Sequence, residues 1–434
     1  MEKLIRIVRG ISARVRFGAR AALPLALVVV ACSGPPALRP AAETPAAQRA
    51  SAPQRSSAPR AHRLVAEWEP ALGAMLAWPL SVPHDLVIKI AKDARLYTLC
   101  ADRAGCDEAK SWYERWGIDL ARVEFLVVPQ SSDASWIRDY GPHTLVDDAG
   151  RVELADARYD LGSPTSGLPC DAPLGTVQNG GQPVSAAHAG PAGYSVAAED
   201  AAPAAIARAL GLAHRPLGFA LTGGNLATDG HGLALSTCIQ ANENRAMGLA
   251  DDQFRTLVRE QLGVARYVLV SNYESTGIQH IDCLLKILDS KRILVARPPV
   301  DHPASALIER IVTQELMPLT TFEGKPFEIL RIDTARFRGD ELAAYANALI
   351  LNDRVYVPLF GIAEDQRALA TWRAAMPGSK VEGFPFVLAD EPILAPSTKM
   401  YRDIGWNGGD ALHCRVRAVF DPARLARAAK GAPR

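Results

Sequence analysis

Apolar positions along this chain switch between two spacings in a recurring order. Helical spacing marks CDEAKSWYERW (106–116), AAIARAL (204–210), DQFRTLVREQL (252–262), ALIERIVTQEL (306–316) and DQRALATWRAA (365–375) as amphipathic helices. A short apolar run follows each and predicts a strand: VEFLVVP, LGFAL, ARYVLV, FEILRI and VEGFPFVL. Next comes a polar cluster, and then two apolar runs around a turn. The clusters and turns are WIRDYGP (136–142) with DDAG, LTGGN (221–225) with TDGHG, GIQHID (277–282) with LDSK, and YANA (345–348) with LND. Short β-type runs around such turns are hairpin signals. NGGDALHC (407–414) opens the same pattern, with ALHCRVRAVF (411–420) as its strand.

The chain is therefore read as five helix, strand, motif and hairpin units. Positions agree, since 347 − 280 and 414 − 347 both equal 67. That period exceeds the usual solenoid repeats, which favours an α/β fold built as a closed, five-fold pseudosymmetric ring. In such a ring the equivalent motifs face a common centre.

Composition bounds the rest. With 434 residues and 48% hydrophobic content the chain can bury a large core. Its net charge is +1, but Lys3, Arg6, Arg9, Arg14, Arg16 and Arg20 against Glu2 contribute +5 at the start, leaving about −4 elsewhere. Nothing in that balance points to nucleic acid, and a slightly acidic body suits a cationic ligand. Residues 1–31 read as an export signal, with the apolar run AALPLALVVVA too short to remain as a spanning helix. VVACS resembles a bacterial lipobox, so Cys32 is the expected lipidation site, anchoring the exported protein to a membrane. Ser33 in place of an aspartate favours the outer membrane. Residues 32–62, with six prolines, read as a disordered tether, and residues 63–430 as the folded domain. A Gly/Pro/Ser-rich stretch at 163–195 reads as a loop insertion.

The motifs gather candidate chemistry: Trp136, Arg138 and Asp139; Asn225; His280 and Asp282; Asn347; His413 and Cys414. Cys414 alone could be a nucleophile, a metal ligand, a disulfide half or a core filler. A cysteine beside a histidine base is a credible nucleophile. Two aspartates in one pocket repel unless a cation lies between them, and a planar guanidinium fits that place. Trp136 could cover its flat face.

EWEPALGAMLAWP (67–79), WIRDYGP, LTGGN, GIQHID, YANALILNDRVYVPLFG (345–361) and NGGDALHC resemble the agmatine deiminase and bacterial (Porphyromonas-type) peptidylarginine deiminase family. The resemblance spans about residues 63 to 420 and implies the five-bladed α/β propeller called the pentein fold. It also implies Cys414 as nucleophile, His280 as general acid/base, and Asp139 and Asp282 as guanidinium ligands. Trp136, Asn225 and Asn347 are expected to bind substrate. The implied reaction converts peptidylarginine, agmatine or arginine to a ureido product and ammonia, with no cofactor and no metal. GGDAL replaces the three glycines and isoleucine usual in the agmatine type. Arg158 is the one candidate near 158–165 for clamping a terminal carboxylate.

Two other readings stand beside this one: a zinc site of His280, Asp282, His413 and Cys414, and a lipid-anchored binding protein for arginine-like cations without catalysis. Of the remaining cysteines, Cys100 and Cys106 are close enough to pair, Cys170 lies in the insertion, and Cys238 and Cys283 read as buried thiols. In extended segments Cys283 would point away from Asp282, and His413 away from Cys414. Arg138 is expected to bond neighbouring backbone.

Overall fold

The helices form where apolar residues recur every three or four positions. In Asp251–Leu262, Phe254, Val258 and Leu262 make one buried stripe, two acids occupy the first turn, and Gly263 ends the helix at φ 65°. The helix Asp365–Ala375 buries Ala368, Leu369 and Trp372 in the same way. The computed structural model describes residues 62–128, 135–159, 196–273, 279–386 and 405–431.

Five sheets repeat one connectivity, in which a strand pairs antiparallel with a second, and the second pairs parallel with a third across one or more helices. In chain order these are His143–Asp147, Val152–Arg158 and Ala213–Ala220; Ala227–Thr228, Leu233–Thr237 and Arg266–Val270; and Leu285–Ile287, Arg292–Arg297 and Glu328–Asp333. Leu349–Leu351, Arg354–Leu359 and Lys380–Pro385 follow. The fifth sheet joins distant parts of the chain: Arg417–Phe420 pairs antiparallel with Ala71–Trp78, which pairs parallel with Arg95–Cys100.

Each polar motif is a single turn just before its hairpin. Ile137–Tyr140 and Ile281–Leu284 are one-turn α-helices, and Gly223–Asn225 and His413–Arg415 are 3₁₀ turns. The expected strand 411–420 is therefore only Arg417–Phe420. Turns this short bond residue i to i+3 or i+4 and present neighbouring side chains about 100° apart instead of on opposite faces.

The YANA turn is held by its own module. Trp372, fully buried, donates its indole N–H to the Tyr345 carbonyl at 3.0 Å, and the Tyr345 hydroxyl donates to Asp365 at 2.7 Å. The YANA motif is thereby fixed to the helix Asp365–Ala375. Trp372→Ala is expected to cost about 3–5 kcal/mol in stability by denaturant unfolding. A loss under about 1 kcal/mol would mean that the motif is held by other contacts.

The chain divides into two units, Met1–Ser56 and Ser57–Arg434. The expected signal segment, Cys32, the expected tether up to residue 61 and the expected insertion with Cys170 lie outside the described residues. No described helix is long and apolar enough to cross a membrane. Cys100 and Cys106 form a disulfide. Cys238 is disulfide-bonded too, which corrects its reading as a buried free thiol.

Candidate active site

Cys414 is carried by the segment 405–415, which Arg415 ties down from inside the protein. The guanidinium of Arg415 is fully buried, binds Asp410 through two nitrogens at 2.9 Å, and donates to the carbonyls of Ser81 and Gly405. The carboxamide of Asn347 then sets the sulfur's position. Its Oδ1 accepts from the backbone amides of His413 (2.9 Å) and Cys414 (3.3 Å), while its Nδ2 lies 3.3 Å from the Cys414 sulfur and 3.5 Å from that of Cys283. Asn347 was expected to bind substrate; in the structure it holds the thiol.

Asp282 approaches the thiol from another turn, its Oδ2 lying 3.8 Å from the Cys414 sulfur. The same oxygen is hydrogen-bonded to His413 Nδ1 at 2.7 Å, His413 Nε2 to Glu67 at 2.6 Å, and Glu67 to Lys286 at 3.1 Å. Asp282 Oδ1 is buried with no hydrogen-bond partner. One carboxylate oxygen is thus braced and the other is buried without a protein partner. The braced side faces a cavity of about 70 Å³ lined by Glu67, Lys286, His413, Arg138 and Arg417, among others.

Asp139 and His280 complete the cluster. Asp139 Oδ1 accepts from the Gly224 amide at 2.9 Å and lies 3.6 Å from His280 Nδ1. The Tyr273 hydroxyl donates to the His280 carbonyl at 2.9 Å. Gly224 is the hub, since a Cβ built there would come within 2.5 Å of Asp139, 2.9 Å of His280 and 3.2 Å of Asp282. Cys414, His280, Asp139 and Asp282, four side chains from three separate stretches, therefore meet in one buried place.

The remaining expectations divide. Trp136 packs, half-buried, against the apolar cluster that contains Cys283 and Cys414. Asn225 holds backbone, its Oδ1 accepting from the amides of Thr237 and Ile281. Arg138 bonds a backbone carbonyl, that of His413, at 3.2 Å. Cys283 does not point away: its sulfur, one oxygen of Asp282 and the Cys414 sulfur all lie within 4.8 Å of one another. His413 is bonded to Asp282 through Nδ1 and to Glu67 through Nε2, so with both ring nitrogens engaged it is not available for the zinc set considered above. The Cys283 correction has a simple cause, a helical turn where an extended segment was assumed. Glu67, Lys286 and Gly224 were given no role, although Glu67 stands in the EWEPALGAMLAWP motif and Gly224 in LTGGN.

Burial dominates the electrostatics. It pushes Asp139 well above the usual carboxylate range, with Asp282 adding to the effect. It also pulls His280 down to about 4, which keeps the imidazole neutral near pH 7. For Asp282 burial acts upward but is more than offset by His413, His280 and Lys286, so that carboxyl lies below its usual value. A hydrogen bond with Cys283 lowers the Cys414 pKa, yet burial and the acids Asp282, Asp410 and Asp139 outweigh it and raise the thiol to about 11. Alkylation of Cys414 in ligand-free protein is accordingly expected to rise about tenfold per pH unit from pH 7 to 9 without levelling off. Peptide mass spectrometry after iodoacetamide treatment reads this; a plateau near pH 7 would reveal a thiolate already formed.

A thiol, a neutral imidazole and two carboxyls gathered in one buried place are the groups that a deiminase-type hydrolase of guanidino groups requires, and the family match assigns the chain to that class. The chain belongs to the Porphyromonas-type peptidyl-arginine deiminase family, which it matches over residues 63–388. It is 23% identical over 318 residues to a candidate agmatine deiminase of Mycoplasma mycoides subsp. mycoides, covering 66% of this chain and 75% of that one. A candidate agmatine deiminase of Selenomonas ruminantium is 24% identical over 362 residues, 74% of this chain and 90% of the relative. Among solved structures, a candidate arginine deiminase from Porphyromonas gingivalis superposes with a TM-score of 0.62 at 22% identity, covering 83% of this chain and 99% of that one. The agmatine deiminase of Enterococcus faecalis superposes at 0.62 with 16% identity, covering 83% and 96%. Those neighbours have the pentein fold, and this chain shares it.

Proposed function

We propose that this protein hydrolyses an arginine-like guanidinium to a ureido group and ammonia through a covalent intermediate on Cys414. The carrying observation is the convergence of the Cys414 sulfur with Asp282, Asp139 and His280 around Gly224. A guanidinium between Asp139 and Asp282 supplies the positive charge that the buried carboxyls lack, and it favours the ionised forms of Asp139 and of the thiol. Neutral His280 takes the thiol proton as sulfur attacks the guanidinium carbon, then gives it to the departing nitrogen, and ammonia leaves. Water, deprotonated by His280, next attacks the thiouronium carbon and expels the Cys414 thiolate with the ureido product. Trp136 covers the flat cation, and the five modules close as a ring whose turns aim at this centre. The pairing of Arg417–Phe420 with Ala71–Trp78 supports that closure.

The substrate carries its guanidinium on an arginine or agmatine chain. Purified protein given agmatine, free arginine and internal arginine peptides, scored for ureido product and ammonia, tests this. Turnover of at least one supports the reading, and the relative kcat/KM values assign the substrate. No turnover of any, with binding retained, would leave a binding protein for arginine-like cations.

Export with a lipid anchor at Cys32 belongs to the same proposal, supported by the lipobox-like VVACS and by the disulfide Cys100–Cys106, a bond suited to an oxidising compartment. Mass spectrometry of the mature N-terminus should find acylated Cys32. An unprocessed Met1 would refute it.

A further inference from the structure

Two thiols meet at this site, and the reaction uses one. Cys283 and Cys414 are the described cysteines outside disulfides, both buried, and with a carboxylate oxygen of Asp282 their ligand atoms lie within 4.8 Å of one another. We propose that Asp282, Cys283 and Cys414 form a binding site for a soft divalent cation of the Zn²⁺ type, which closes the active site by occupying its nucleophile.

The geometry fits such an ion. A tetrahedral zinc holds thiolate sulfur at about 2.3 Å and carboxylate oxygen at about 2.0–2.2 Å, which places neighbouring ligand atoms about 3.5 Å apart. The Cys414 sulfur and Asp282 Oδ2 are already 3.8 Å apart. Two sulfurs and one oxygen leave a fourth position for water, a donor set suited to zinc and unsuited to magnesium or calcium. The surroundings provide what a bound ion requires of its outer partners. Asn347 Nδ2 lies at 3.3 and 3.5 Å from the two sulfurs, a donor toward thiolates, and His413 braces Asp282 at 2.7 Å. Two thiolates and a carboxylate outweigh the charge of a divalent ion, and the ion replaces the thiol protons, which leave to solvent.

The consequence for activity rests on the reading of Cys414 as the nucleophile. Metal and guanidinium then need the same sulfur and the same carboxylate, so they exclude each other. Inhibition is expected to be competitive and to be reversed by a chelator. Among the described cysteines Cys100, Cys106 and Cys238 are disulfide-bonded, so thiolate ligation in the described residues reports on Cys283 and Cys414 alone.

Cobalt(II) provides the test, because its thiolate charge-transfer absorption in the near ultraviolet is read without any turnover. Chelator-treated full-length protein titrated with Co²⁺ should develop that band with the visible spectrum of a tetrahedral site, and Zn²⁺ should bleach it. Cys283→Ser and Cys414→Ser should each diminish the band, and Cys283→Ser should weaken Zn²⁺ competition by at least about tenfold. Asp282→Asn, which keeps both thiols, should weaken binding while retaining the band, a control if a serine variant does not fold. No charge-transfer band in the wild type, or a band undiminished in both serine variants, would overturn the proposal. Turnover in chelator-containing buffer is measured on the same samples. Turnover without the band removes this site and leaves the deiminase reading, whereas the band without turnover does the reverse.

Discussion

Replacing Cys414 with alanine is expected to reduce formation of ureido product by at least about 10⁴-fold, with the folded structure kept. The size follows from what is removed. Without the sulfur there is no covalent path, and water must attack the guanidinium carbon directly while His280, Asp139 and Asp282 still bind and orient the cation. Such residual catalysis by the remaining groups is well below that of a complete nucleophilic site. The fold should tolerate the change because the backbone amide of residue 414, which Asn347 Oδ1 holds at 3.3 Å, is retained. Steady-state rates with the preferred substrate, alongside a thermal unfolding curve, test both halves. A variant within tenfold of the wild-type rate would end the assignment of the nucleophile.

Gly224→Ala is the second large effect, and it acts without removing any functional group. A methyl at that position would stand 2.5 Å from Asp139 Oδ1, 2.9 Å from His280 Nδ1 and 3.2 Å from Asp282 Oδ2. None of these is the loose end of a flexible surface side chain. All three residues are buried, and Asp282 is braced from behind by His413. The carboxyls and the imidazole must therefore separate, and displacements near 1 Å in a positioned site cost about 10²-fold. Loss of kcat/KM by about that factor is expected, with a smaller change in unfolding midpoint. The control is Gly378→Ala, where nothing lies within 4 Å of the added methyl. If Gly224→Ala keeps full activity, the three side chains do not act from the positions described here.

Sequence pattern carried different parts of this molecule unequally. The helix expected at 365–375 is found with those limits, and that at 252–262 begins one residue earlier, because each holds enough turns for its apolar stripe to recur. Asn347 and Cys414, 67 residues apart and picked out by their motifs, come within 3.3 Å of one another. Cys283 was placed on the wrong side since it lies in a single turn, too short to show any period. Lys286 and Glu67 are 219 residues apart, and their ion pair exists only once two modules are assembled. Asn347 and Asn225 were expected as ligands, and the structure adds what the sequence does not show: Asn347 also contacts two sulfurs and two backbone amides, and Asn225 Oδ1 accepts from two more.

The strand Arg417–Phe420 lies beside Ala71–Trp78, with Arg417 opposite Met75, 417 − 75 = 342 positions apart along the chain. Cys414 precedes that strand by three residues, so its thiol reaches its place only when this long-range pairing forms. A polypeptide still emerging from the ribosome, or threading through a translocation pore, would present every other module before it could present a working thiol. Loop closure over such a distance is entropically late and slow. Folding and assembly of the Cys414 site would then coincide in time, the growing chain lacking that arrangement until its last strand is in place.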